Sequence, residues 1–359
     1  MSKLMAGLVC TVVLASCVKK GTVPDDPAIG SDGAMEEVSS ELRRNPTSTR
    51  TSTGTSTGTA DAKVADSRLA DGQVADIRSD VSGSEVRDSG GKVSDAGVVP
   101  SNGCGRTGQT TGDFHLSTTD GRGTKRDYEV LVPTGYNPTV PLAVTFIFHG
   151  AGGTEAYAKT WGLQQAPSAA SASIFVFPQG VDYSGYGVGW NDLCTGYDVV
   201  FFDNMLAAIR GTYCIDVNRV NVAGFSWGCD FVTALTCCRG DKIHAVAAAS
   251  CSDEFANAAD YKTYANYPCT ANSTAAIRFT HDSNPSGDGQ YTGVQFIATR
   301  QLFAAINSCS ATSVAATPSP CVSYQSCARP LVECAYSGLG HSLPANWAAD
   351  TWNFFSGTP

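Results

Sequence analysis

The segment Gly224-Phe225-Ser226-Trp227-Gly228 leaves this chain little choice of fold. It joins a run that reads as a buried strand, 219–225, directly to a run of helical character, 227–238. So abrupt a reversal puts Ser226 in a strained backbone conformation. It also crowds the chain two residues to either side, which Gly224 and Gly228 tolerate for want of a Cβ. The turn presents the serine hydroxyl above the sheet and at a helix N-terminus, where partial positive charge favours a nearby oxyanion. Ser226 is therefore the candidate nucleophile.

The surrounding sequence supplies the sheet. Residues 126–133 alternate in polarity, and 141–148 and 173–177 are nearly continuous apolar runs, as are 246–250, 275–280 and 331–336. Strands buried on both faces read this way. Between and after them, 198–210, 227–238, 299–307 and 347–355 carry apolar residues at helical spacing. Strands alternating with helices predict an α/β fold with a doubly wound, mostly parallel sheet and its site at the carboxyl ends of the strands. Only about two dozen residues separate the strand ending near Ser250 from the next at Ala275, too few for a large lid. An open cleft is expected, with Trp190, Trp227, Tyr183 and Tyr186 as its aromatic lining.

A serine hydroxyl needs a base. Of the five histidines, His341 is the candidate, because it sits in the loop Ser337-Gly338-Leu339-Gly340-His341 after the strand 331–336 and before the last helix. His115 lies in the N-terminal strand region, His149 precedes the nucleophile, and His244 is expected in a surface loop. His281 ends a strand and reads as a packing residue. Chain order Ser, Asp, His places the orienting acid in the loop 281–288, where Asp288 is preferred and Asp282 is the alternative. The glycine-rich turn His149-Gly150-Ala151-Gly152-Gly153 lacks the Lys-Ser/Thr of a phosphate-binding loop. It makes sense instead as half of an oxyanion hole, the N–H groups of Ala151 and Trp227 meeting the tetrahedral intermediate.

Composition divides the chain. Every Trp, Tyr and Phe lies beyond residue 102, so the folded catalytic domain is expected over 103–359. Residues 17–102 are rich in Ser, Thr, Asp and Gly without a periodic apolar face, and read as a disordered linker. Residues 1–16 read as a signal peptide: Lys3 precedes a short apolar run that ends in Leu14-Ala15-Ser16-Cys17. That ending resembles a bacterial lipobox, with Cys17 the lipidated residue, and Val18-Lys19 favour the outer membrane or cell surface; plain secretion is the alternative. With Cys10 and Cys17 set aside, the remaining twelve of the fourteen cysteines suggest up to six disulfides in an oxidising compartment. Cys321 with Cys327 and Cys309 with Cys334 are expected as local pairs, and Cys237 and Cys238 should reach different partners. No metal-ligand spacing stands out, and a net charge of −9 argues against nucleic acid as a partner.

Taken in order along 110–355, a set of motifs accompanies the elbow at Ser226: Arg126-Asp127-Tyr128, the 149–153 loop, Gly189-Trp190-Asn191-Asp192, Asp198-Val199, Asp216-Val217-Asn218-Arg219-Val220 and Gly340-His341-Ser342-Leu343-Pro344. The series resembles the secreted α/β-hydrolase esterases that include polyhydroxybutyrate depolymerase-like, feruloyl and acetylxylan esterases. The chain departs from that pattern at Ala151, where the family often has Cys, and at Cys229, where it often has Gly. It departs again at His281-Asp282, where the family has His-Gly-x-x-Asp. The resemblance implies a cofactor-free serine esterase with a Ser-His-Asp triad, acting on feruloyl or acetyl esters of plant polysaccharide or on a short-chain polyester. A serine peptidase of the same fold and a non-catalytic carbohydrate-binding protein on this scaffold are the alternative classes. Peptide hydrolysis would single out the first, and failure to react with a fluorophosphonate the second.

Overall fold

The computed structural model describes residues 97–183, 185, 187–252, 269, 275–284 and 293–359. Tyr186, Asp288 and Cys17 lie outside the described residues, as does the interval expected to be too short for a large lid, apart from Cys251, Ser252 and Cys269. Strands β1 (Gly112–Thr119), β2 (Lys125–Val132), β3 (Leu142–Phe148), β4 (Ser173–Pro178), β7 (Ile215–Phe225), β8 (Ala245–Ala249), β9 (Ala276–Asp282), β10 (Ser313–Ala315), β11 (Cys321–Tyr324) and β12 (Leu331–Tyr336) form one sheet. Its order is β1-β2-β4-β3-β7-β8-β9-β12-β11-β10, and β5 (Val181–Asp182) pairs with β6 (Val188–Gly189) in a small separate ribbon. The stretch from β4 to β12 is parallel throughout, with antiparallel strands added at both edges. This is the predicted doubly wound sheet.

Burial follows the sequence pattern. All of β4 and β8 is buried, as strands with helices on both faces must be. Alternate residues face opposite layers: Phe146 and Phe148 pack with helices α3 (Tyr197–Thr212) and α4 (Trp227–Arg239), while Ile147 packs toward α6 (Trp347–Gly357). The short helices α1 (Glu155–Lys159) and α2 (Ala169–Ala172) lie with α6, and α5 (Gly293–Ile306) contributes Phe303 and Ile306 to the α3–α4 side. Among the described residues, no helix is long and apolar enough to cross a membrane.

Residues 97–102, assigned by composition to the tether, are held against the domain. Pro100 bridges to Asp216, Ser101 N–H donates to the Ile215 carbonyl at 2.8 Å, and the Ser101 hydroxyl donates to the Tyr213 carbonyl at 2.7 Å. These few polar bonds to β7 need no aromatic anchor, so composition did not reveal them.

All twelve domain cysteines are paired, as Cys104–Cys214, Cys194–Cys238, Cys229–Cys251, Cys237–Cys269, Cys309–Cys327 and Cys321–Cys334. Cys237 and Cys238 reach different partners, as expected. The two local pairings read from the sequence are corrected. Cys321 and Cys334 stand directly opposite each other in the antiparallel β11–β12 register, with Cα atoms 3.9 Å apart, which commits Cys327 to Cys309. Such bridges are at home outside the reducing cytosol.

Candidate active site

β7 ends at Phe225 and α4 begins at Trp227, so a single residue makes the turn. Ser226 takes φ 56° and ψ −126°, a conformation few non-glycine residues adopt and one that costs roughly 1–3 kcal/mol. Its N–H donates to the Ala249 carbonyl on β8, and its carbonyl accepts from Cys229 and Asp230 in the first turn of α4. The flanking glycines are needed for space. A Cβ on Gly224 would lie 2.1 Å from the Gly228 carbonyl oxygen, and one on Gly228 would lie 2.1 Å from that of Phe148. Trp227, as the first residue of the helix, has no helical acceptor for its N–H.

The glycine-rich loop after β3 sits against this turn. A Cβ on Gly150 would come within 3.0 Å of the Ser226 Cβ, so the loop carrying Ala151 packs on Ser226 itself. His149 organises it from beneath. The imidazole is fully buried; Nε2 accepts the Gly180 N–H at 2.9 Å, which leaves Nδ1 to donate to the Gly150 carbonyl at 2.8 Å. Burial pushes this histidine down to about 4, with the nearby Arg126 charge adding to the effect and the Gly150 bond opposing it. It is a neutral structural strut.

Trp190, expected on the cleft wall, is an interior residue instead, only 1 % exposed. It stacks on Phe231 at 5.4 Å, meets Phe148 edge-on at 5.1 Å, and donates Nε1–H to the His149 carbonyl at 2.8 Å. A tryptophan whose one polar atom is satisfied inside the core has no surface to offer a substrate. The neighbouring motif residues explain its position: Asn191 N–H donates to Asp198 Oδ2 at 2.7 Å, and Asp198 Oδ1 accepts from Arg126 at 2.7 Å. Arg126 also donates to the Gln179 carbonyl, next to Gly180. Three motifs distant in sequence thus converge on one buried scaffold beneath the loop.

His341 is exposed, and its ring lies 4.7 Å from that of Phe225, the residue before Ser226. Asp282, at the carboxyl end of β9, is completely buried and directs its oxygens at backbone N–H groups of Asn284, Gly338 and Gly340. Burial alone would raise its carboxyl. The three N–H donors, with the charge of His281, outweigh that and hold it below the usual range. His281 packs inward from the strand end as read from the sequence, with Nε2 3.1 Å from Glu333. His244 is not the surface histidine expected: it is half-buried, and burial, with Arg219 and Arg329 adding to the effect, pushes it down to about 4.

Two aromatic contacts begin at the elbow. Tyr183 meets Trp227 edge-on at 5.9 Å, and Trp161 meets Phe225 at 5.9 Å. Trp161 also contacts Trp347 and the half-exposed Tyr157. Neither Trp161 nor Tyr157 stands in a motif; the only hint of them in the sequence is their closeness to the 149–153 loop.

The chain is 34% identical over 170 residues to feruloyl esterase D of Neurospora crassa, covering 43% of this chain and 55% of that protein. It is 30% identical over 132 residues to feruloyl esterase C of Emericella nidulans, covering 35% and 46%. In structure it aligns with acetyl xylan esterase from Aspergillus awamori at a TM-score of 0.51, covering 68% of this chain and 99% of that one, with 15% identity. The chain has the α/β-hydrolase fold. No family model matches it. This α/β-hydrolase spans about half the length of the two curated relatives named here. Its elbow, loop and strand-end histidine are set at the carboxyl edge of β3, β7 and β12, the edge where open α/β sheets bind ligands.

Proposed function

We propose that this α/β-hydrolase is an extracytoplasmic serine esterase that cleaves feruloyl or acetyl esters on plant polysaccharide, or a short-chain polyester. The observation that carries the reading is the positive-φ backbone of Ser226 at a one-residue turn between β7 and α4, a strain that fits a hydroxyl presented at the helix N-terminus. Ser226 attacks the ester carbonyl and His341 takes its proton. The N–H groups of Ala151 and Trp227 receive the oxyanion, each worth roughly 3 kcal/mol in the transition state. His341 returns the proton to the leaving alcohol, an acyl-enzyme remains, and water activated by the same histidine releases the acid. Asp288 orients the imidazole in this reading. Tyr183 with Trp227 and Trp161 with Phe225 flank the nucleophile. Cys17 anchors the chain in the envelope, where the catalytic domain meets a substrate too large to be imported.

The test is hydrolysis of p-nitrophenyl acetate by the full chain and by Ser226→Ala, where a loss of at least about a thousandfold in kcat is expected. Full activity in the alanine variant would sink the reading. A panel of methyl ferulate, acetylated xylan, polyhydroxybutyrate film and short p-nitrophenyl esters then assigns the acyl group and the alcohol.

A further inference from the structure

Asp282 does more than end a strand. Its register partner on β12 is Tyr336, and Ser283 N–H donates to the Tyr336 carbonyl at 2.7 Å, so the two strands finish side by side. β12 then runs into the turn that delivers His341. Gly338 and Gly340 in that turn both have left-handed backbones, φ 72° and 62°, and their N–H groups point inward. Both meet the one carboxylate: Gly340 N–H donates to Oδ2 at 2.5 Å, and Gly338 N–H to Oδ1 at 3.3 Å. Asn284 N–H donates to Oδ1 at 2.7 Å and braces the carboxylate from its own loop.

From this geometry we infer that Asp282 is a positioning residue, a buried anionic latch that clamps the glycine turn and so fixes where His341 stands. The inference rests on the reading of His341 as the base. A buried carboxylate is tolerated only with its hydrogen-bonding capacity met, and here backbone donors meet it from both strand ends. Successive inward N–H groups of a left-handed turn form a small anion-binding concavity, and Asp282 supplies the anion from within the fold. The task differs from that of a triad acid, which must aim an oxygen at the imidazole. Residues on two strands are thereby coupled: displacing the carboxylate frees Gly338 and Gly340, and a base displaced by about an ångström loses on the order of a hundredfold in rate.

The experiment compares the full chain with Asp282→Ala, Asp282→Asn, Asp288→Ala and Ser226→Ala, measuring kcat and KM on p-nitrophenyl acetate and amide hydrogen exchange at Gly338 and Gly340. Asp282→Ala should lower kcat roughly 10- to 100-fold with KM within about threefold. It should also speed exchange at both glycines at least about tenfold, leaving Thr280 and Cys334 protected. Asp282→Asn keeps an acceptor for Gly338 but turns an amide toward one glycine N–H, so protection should return at one of the two positions only. If the alanine variant does not fold, the asparagine variant carries the same comparison. Unchanged glycine exchange, or kcat within twofold of the parent, overturns the latch. A loss as large as that of Ser226→Ala with both glycines still protected also overturns it, because Asp282 would then act on the imidazole itself. Retained activity in Ser226→Ala would instead remove the esterase reading, and the glycine exchange would still decide the latch.

Discussion

The ring of Phe225 lies 4.7 Å from the imidazole of His341, so the residue that ends β7 also forms the floor under the loop that follows β12. β7 and β12 are separated in the sheet by β8 and β9, and at their carboxyl ends the chain closes that gap with side chains. Ser226 and His341 are thus related by packing around the elbow as well as by the loops that carry them. Several expectations follow from how closely that region is filled.

Gly228→Ala should be among the most damaging small substitutions in the domain. The added methyl would meet the Phe148 carbonyl oxygen at 2.1 Å, and backbone on a central strand cannot give way. A loss of about 3 kcal/mol or more is expected in urea unfolding, with activity abolished. Gly211→Ala is the contrast: it lies in α3 with nothing within 4 Å, and should stabilise by roughly 0.5–1 kcal/mol.

Trp190 and Tyr183 should separate in kinetics. Trp190→Phe removes the bond to the His149 carbonyl and leaves that oxygen buried, at a cost of about 1–3 kcal/mol in stability. It should lower kcat and spare KM, since the ring touches His149 at the head of the 149–153 loop and no solvent. Tyr183→Ala should raise KM on aromatic or carbohydrate-linked esters with stability changed by less than about 1 kcal/mol. Steady-state kinetics beside unfolding midpoints check both.

The Arg126–Asp198 pair is buried on both sides, and burial raises the Asp198 carboxyl despite Arg126 and the Asn191 N–H beside it. Asp198→Ala leaves the buried guanidinium over the Phe201 ring with only the longer 3.5 Å contact to Asp120 and the Gln179 carbonyl to meet its charge. About 3–5 kcal/mol of destabilisation is expected by chemical unfolding. Activity should fall in the surviving folded fraction, because Asn191 loses its anchor. An unfolding midpoint equal to the parent's would contradict the scaffold described for the loop.

His149 makes stability depend on pH in a known direction. Its folded value of about 4 lies below the ordinary 6.5, so between those limits the unfolded chain binds the extra proton. Its contribution is complete above pH 6.5 and is lost as pH falls toward 4, up to about 3 kcal/mol. His244 acts in the same sense over the same window. Asp230 opposes them: burial, with Asp192 adding to it, raises its carboxyl to about 7 against the Ser252 bonds, so its contribution declines as pH rises from 3.8 to 7. The measurement is therefore a difference. In urea unfolding, the gap between the parent and His149→Gln should narrow from pH 7.5 to pH 5, and a constant gap would show that His149 does not titrate in that way.

Much of this was legible in the sequence because the central strands are buried on both faces. Runs such as 142–148 and 245–249 have no polar side to show, so hydrophobicity alone marks them, and Ser226 was found by its glycines. β1 escaped because it is a mostly exposed edge strand, and β10 and β11 because three or four half-exposed residues carry no period. Trp190 was misplaced for a different reason: a tryptophan beside glycine and asparagine looks alike on a cleft wall and in a core. Only the His149 carbonyl, forty-one residues away, distinguishes the two. Likewise Cys321 could be matched to Cys334 only through the β11–β12 register, which spacing does not encode.

The segment 97–104 has a mechanical consequence. It is joined to the start of β7 by the Pro100–Asp216 bridge and the Ser101 bond to Ile215, and to the two residues just before β7 by the Ser101 bond to Tyr213 and, covalently, by Cys104–Cys214. A pull on the chain ahead of residue 97 is therefore delivered to the foot of the central strand that carries Ser226, and the disulfide stops it there. β1, next along the chain and one edge of the sheet, bears none of that load until a covalent bond has broken.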